Sequence, residues 1–137
     1  MAAIDQAMVS KMLNSTTSAT AFATLTAPFK VRLNSTASTA AAAGTELTNG
    51  TGYVTGGQTS TAPFASVSSA GSAVTIPNTA VLSWTSSGSN FLTIVSMDLV
   101  SADPTRTWFG NFNGQPISVA NGNTFQIALN AITISLT

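Results

Sequence analysis

Glu46, Asp98 and Asp103 are the residues of this chain whose types could do chemistry together. Two carboxylates facing one bond can hydrolyse a glycoside, one as the acid and the other as base or nucleophile. Glu46 with Asp98 or with Asp103 would be that pair. Each also has a plainer role. Asp103-Pro104 is a turn initiator. Glu46 lies in "GTELTNGTGY", residues 44–53, where a carboxylate can accept hydrogen bonds from turn amides or pair with a cation such as Arg32. Calcium could draw on Asp98 and Asp103 with Asn111 or Asn113, but their spacing is not that of an EF-hand loop. Ser10-Lys11 could form a nucleophile–base pair, yet no further motif accompanies it. The chain has no histidine and no cysteine. That excludes a Ser–His or thiolate nucleophile, a disulfide frame and a zinc site built on Cys and His. Gly50, Gly52, Gly56 and Gly57 do not stand between a strand and a helix in the order a phosphate loop requires. The expectation is no catalytic residue, no metal ligand and no cofactor.

The composition points the same way. Charged residues make up 6 % of the 137, against a usual share of about 25 %. Four cations balance four anions, while Ser and Thr supply 40 residues, Ala 21 and Asn 10. The surface is therefore hydroxyl, amide and methyl. Such a surface has little self-repulsion, so association is favoured. Nucleic acid is excluded as a partner, because its binding needs clustered Lys and Arg to displace counterions. No run reaches the roughly 18 apolar residues of a membrane span. The start, "MAAIDQAMVSKML", has an acid where a signal peptide carries basic residues.

The elements that would position these groups are mostly strands. Ile4, Met8, Val9, Met12 and Leu13 share a stripe at helical spacing, predicting a short helix over 4–13. The Ser/Thr/Ala-rich stretch after it holds Phe22 and Leu25 and reads as an arm. "PFKVRL" alternates, with Phe29, Val31 and Leu33 on the core face and Lys30 and Arg32 outward. "AVTIPNTAVLSW" reads as two strands about a Pro77-Asn78 turn. "FLTIVSMDLV", 91–100, reads as a strand covered on both faces. "RTWFGNF" places Arg106, Trp108 and Phe112 on one parity and Thr107, Phe109 and Asn111 on the other. Three Asn-Gly dipeptides, at 49, 113 and 121, mark turns. "TFQIAL" is apolar at odd positions and "ITISLT" at even ones, so the chain must turn or bulge at Asn130-Ala131. Short strands at this spacing predict an all-β fold, an antiparallel β-sandwich or jelly-roll-like barrel. The expected division is an N-terminal helix and arm over 1–27 and a β-sandwich over 28–137, compact as one unit. Trp84, Trp108, Phe109, Phe112 and Tyr53 could line a sugar-binding groove. Alternating aromatics more often form core or subunit contacts.

The order of the pieces is also informative. A short helix precedes "APFKVRL"; "STASTAAAAGTELTNGTGY" follows, then "IPNTAVLSWT", and "ANGNTFQIALNAITISLT" closes the chain. In this order the chain resembles a group of small tailed-bacteriophage virion proteins, described as tail-fibre-like, minor tail or head-decoration proteins. The matching pieces are Gly44-Thr45-Glu46, Asn49-Gly50, Gly52-Tyr53, Gly122 to Phe125, and Ile132 to Leu136. Thr55 and Asn123 stand where the group often has Arg and Asp.

The resemblance implies a virion surface role without catalysis. The expected function is a capsid decoration or cement protein, a trimer or dimer that bridges major capsid subunits on the outside of the particle and is made in the host cytoplasm. A minor tail or fibre component is the alternative, and a carbohydrate-binding module a further one. Gly44, Glu46, Asn49, Gly50 and Tyr53 are expected to build a structural turn. Phe22, Leu25, Trp108 and Phe109 are the candidate interface.

Overall fold

A computed structural model describes residues 2–17, 29–48, 52–59, 68–70, 73–87, 93–102, 106–114 and 116–136. Among them are ten strands and one helix, and every strand pairing is antiparallel, so the fold is all-β. The largest sheet runs β1 (Ala2–Ile4), β8 (Arg106–Asn111), β7 (Ser96–Val100), β2 (Lys30–Asn34), β3 (Gln58–Thr59). A second holds β10 (Thr133–Leu136), β5 (Ala73–Pro77) and β4 (Ser68–Ala70); a third pairs β6 (Leu82–Thr85) with β9 (Thr124–Ile127).

The alternation in "PFKVRL" does what period two requires. Val31 and Leu33 are buried and Phe29 packs against the same cluster. Leu99 of β7 joins them, and from the β6–β9 pair come Leu82, Trp84 and Ile127. The Trp84 and Phe125 ring centroids are 5.9 Å apart, and Phe112 meets Phe125 edge-on at 5.6 Å. Burying a side chain such as Leu33 stabilises the fold by about 1.5–3 kcal/mol.

The predicted strand over 91–100 is shorter than its apolar run. Ile94 makes only an isolated bridge to Ile117, and the strand proper begins at Ser96. It is covered on both faces as expected, but one covering is polar: Ser96 and Asp98 are fully buried.

The N-terminus departs from expectation. Residues 2–4 do not begin a helix. They pair with Gly110, Phe109 and Trp108 as the edge of the large sheet. The first strand is thus part of the sheet and not an arm. Helix α1 covers Gln6–Thr17. The carbonyl of Asp5 accepts its first bond, from Val9 N–H, and an acid at this end suits the helix dipole. The helix outruns Leu13 because no Gly or Pro stops it before Pro28. Thr17 instead donates back to the Leu13 carbonyl at 2.8 Å.

Two corners carry the chain between the smaller sheets. One is Asn78, between β5 and β6; the other is 128–131, between β9 and β10. The parity change at Asn130-Ala131 is a turn, with Asn130 in the left-handed region at φ 60°. Asparagine is among the few non-glycine residues that enter it. Leu129, in register with the core pattern, is carried outward by that turn and is 53 % exposed. Asn78 is buried and ties the corners together. Its side-chain N–H groups donate to the carbonyls of Ala80 (2.8 Å) and Ala128 (2.9 Å), and its Oδ1 accepts from Ile132 N–H at 2.8 Å. Its backbone N–H donates to the Ile132 carbonyl, and its carbonyl accepts from Asn130 N–H.

Candidate functional site

Lys30, Arg32 and Asn34 share the other face of β2. The register places Arg32 opposite Asp98 and Asn34 opposite Ser96. This face is roofed and not open to solvent as the alternation alone predicts. Residues 35–47 fold over it. Ser38 Oγ donates to Asp98 Oδ1 at 2.8 Å and accepts from Asn34 Nδ2 at 3.2 Å and from Gly44 N–H at 2.9 Å. Gly44 is needed for this closure, because a Cβ there would collide with the Thr36 carbonyl.

Charges collect under the roof. Arg32 spans two acids, with Nη1 3.8 Å from Glu46 Oε2 and Nη2 3.6 Å from Asp98 Oδ2. On the other side of Asp98, Arg106 Nη1 lies 3.6 Å from Oδ1, while Arg106 Nη2 is 2.6 Å from Asp5 Oδ2. Glu46, Arg32, Asp98, Arg106 and Asp5 thus form one alternating chain from five of the eight charged residues. Arg106 joins it through a bulge. The register shifts between Leu99 and Val100, so Arg106 comes opposite Val100 and leaves the parity of Trp108. Its guanidinium lies 5.2 Å from the Phe109 ring centroid. The same guanidinium donates to the carbonyls of Thr39, Ala40 and Ala42, which fastens the roof to the sheet. Gln6 N–H adds a bond to the Ala40 carbonyl.

The expected turn is a closure of the β2 edge. Glu46 Oε1 accepts from Tyr53 O–H at 2.7 Å and from Gly56 N–H at 2.6 Å. The Tyr53 hydroxyl in turn accepts from Leu33 N–H at 3.2 Å, and Leu47 N–H donates to the Leu33 carbonyl. Beyond the two residues of β3, the backbone of β2 is therefore satisfied by a side chain and a loop. Gly52 lets this segment pass, at φ 86°, since a Cβ would collide with the Thr85 carbonyl.

Burial pushes the Tyr53 hydroxyl well above its ordinary range, and its hydrogen bond to Glu46 pushes in the same direction. A phenol whose folded pKa is raised above the unfolded one contributes stability below about pH 10. That contribution is lost as pH rises toward the folded value. Stability should fall by about 1.4 kcal/mol per pH unit above about pH 10. Tyr53→Phe should flatten this alkaline limb when urea unfolding is followed between pH 8 and 11. An unchanged slope in Tyr53→Phe would exclude Tyr53 as its source.

This geometry bears on each residue singled out from the sequence. Glu46 and Asp98 do come near one another, but the Arg32 guanidinium stands between them, and Asp98 is 0 % exposed. A hydrolytic pair needs its substrate bond in that position. Among the described residues there is no group of three or more acids fit to hold a metal. Trp108 is partly buried and packs against the core, and Phe109 lies half-buried beneath Arg106. Trp84 and Tyr53 are buried too, which removes them from a sugar-binding groove. Asn49, Gly50, Phe22, Leu25 and Asp103 lie outside the described residues. Sequence reasoning missed Arg106 and Asn78 as organisers, because their partners are distant in the chain. Comparison with protein-family models, curated proteins and solved structures finds no match for this chain.

Proposed function

We propose that this chain is a non-enzymatic structural protein of a bacteriophage particle, a capsid decoration protein that bridges major capsid subunits as a trimer or dimer. In this reading its sheets stack as a β-sandwich of jelly-roll type on the outer surface of the virion. The observation that carries the proposal is where the charges lie. Five of eight are tied to one another where the 35–47 roof meets the sheet. The exterior then offers hydroxyl, amide and apolar groups, including Val54 at 71 % exposure and Val81 at 53 %. Contacts of that kind are weak singly and geometry-driven, and repetition over a lattice multiplies them. The resemblance in motif order supports the same reading.

The test is protein stoichiometry in purified particles by mass spectrometry. Hundreds of copies per particle are expected. A few copies would move the chain to the tail or fibre. Its absence from particles, with a monodisperse monomer that ignores empty shells, would overturn the proposal.

A further inference from the structure

Two of the Asn-Gly turns have matching glycines and different surroundings. Gly114 has φ 71° and Gly122 has φ 83°, and a Cβ on either would meet nothing within 4 Å. Both asparagines, Asn113 and Asn121, are exposed. The difference is the glycine N–H. Gly122 N–H donates to the Ser86 carbonyl at 3.0 Å. The same turn is pinned twice more, by Ser86 N–H to the Asn123 carbonyl at 2.9 Å and by Asn123 N–H to the Ala120 carbonyl at 3.0 Å. No hydrogen bond holds Asn113 or Gly114 to another described residue.

We propose that Asn113 is a site of spontaneous amide loss in the folded protein and that the fold protects Asn121 from the same reaction. The chemistry is an internal acyl transfer. Solvent base takes the proton of Gly114 N–H, and that nitrogen forms a bond to Cγ of Asn113. The bond from Cγ to the side-chain nitrogen breaks, and the nitrogen leaves as ammonia after taking a proton from water. Water then opens the five-membered imide at one of its two carbonyls, leaving an aspartyl or isoaspartyl residue. Nothing is oxidised or reduced. The attacking nitrogen must be free of an acceptor and able to swing toward Cγ. Gly114 N–H has no acceptor among the described residues and sits on an exposed turn, whereas Gly122 must first give up its bond to Ser86.

The consequence reaches the core. Conversion takes the formal net charge from 0 to −1 on a surface with few ions. The isoaspartyl form also lengthens the backbone next to Phe112, whose N–H donates to the Val95 carbonyl and whose ring meets Phe125.

Peptide mapping by mass spectrometry tests this after incubation of the folded full chain at mildly alkaline pH. Asn113 should convert about 10-fold faster than Asn121, the factor expected from the hydrogen bonds that must open first. In guanidinium the two rates should converge, since both dipeptides are Asn-Gly. Equal rates in the folded protein would overturn the inference. So would a gap of the same size in denaturant, because the fold would then not be its cause.

Discussion

Asn78→Asp is expected to lower the free energy of unfolding by about 3–5 kcal/mol, among the largest effects available to a near-isosteric change in this chain. The wild-type amide donates to two carbonyls, Ala80 and Ala128, at 2.8 and 2.9 Å. A carboxylate would turn an acceptor toward those acceptors, in a site that is 1 % exposed. A buried charge then faces two carbonyl oxygens, and the Ala80 carbonyl loses its donor, whereas Ala128 keeps the bond from Ala131 N–H. Asn78→Ala should cost less, because it removes the donors without adding a charge. Urea unfolding measures both. Gln126→Ala, which removes one exposed bond to Ser83, is the control and should stay within about 0.5 kcal/mol. If Asn78→Asp stayed within 1 kcal/mol of wild type, the corner would not hold the two smaller sheets together.

Asp98→Asn should cost a similar amount, about 3–5 kcal/mol, for a different reason. The change keeps the shape and removes the charge that two guanidiniums share at 3.6 Å. Arg106 is left 8 % exposed in its side chain, with Asp5 as its remaining acid. Two tests separate this from a simple packing defect. The destabilisation should persist in 1 M salt, where the Debye length is about 3 Å and surface pairs are screened. A double-mutant cycle with Arg32→Gln should give a coupling energy of about 0.5–3 kcal/mol. Additive single effects would mean that the 3.6 Å approach of Arg32 to Asp98 contributes no interaction energy.

Much of the fold was legible because period-two alternation is a local signal. "PFKVRL" read correctly for its core face, and the parity flip at Asn130 required a turn that the structure supplies. Strand β1 was not legible. Three residues that pair through their backbone carry no pattern, and Ile4 fits a helical stripe equally well. The charged site was hidden for a deeper reason. A polar face roofed by a loop has the same alternation as a polar face in water, so Arg32 read as outward. A bulge then moved Arg106 across the parity that placed it with Trp108. Pro77-Asn78 read correctly as the break between two strands, although Pro77 still pairs within β5 and the chain bends only after Asn78. Its bonds to residues 50 and 54 positions away had no local trace.

The plugged flank of β2 has one more consequence. A chain with zero formal net charge cannot rely on electrostatic repulsion to keep its copies from zipping together. Open strand flanks are where cross-β growth begins. Once the Tyr53 hydroxyl and the Leu47 amide occupy Leu33, that stretch has no spare backbone groups to template an incoming strand. Crowded copies are thereby denied a fibril nucleus there, and contact between them is left to side chains.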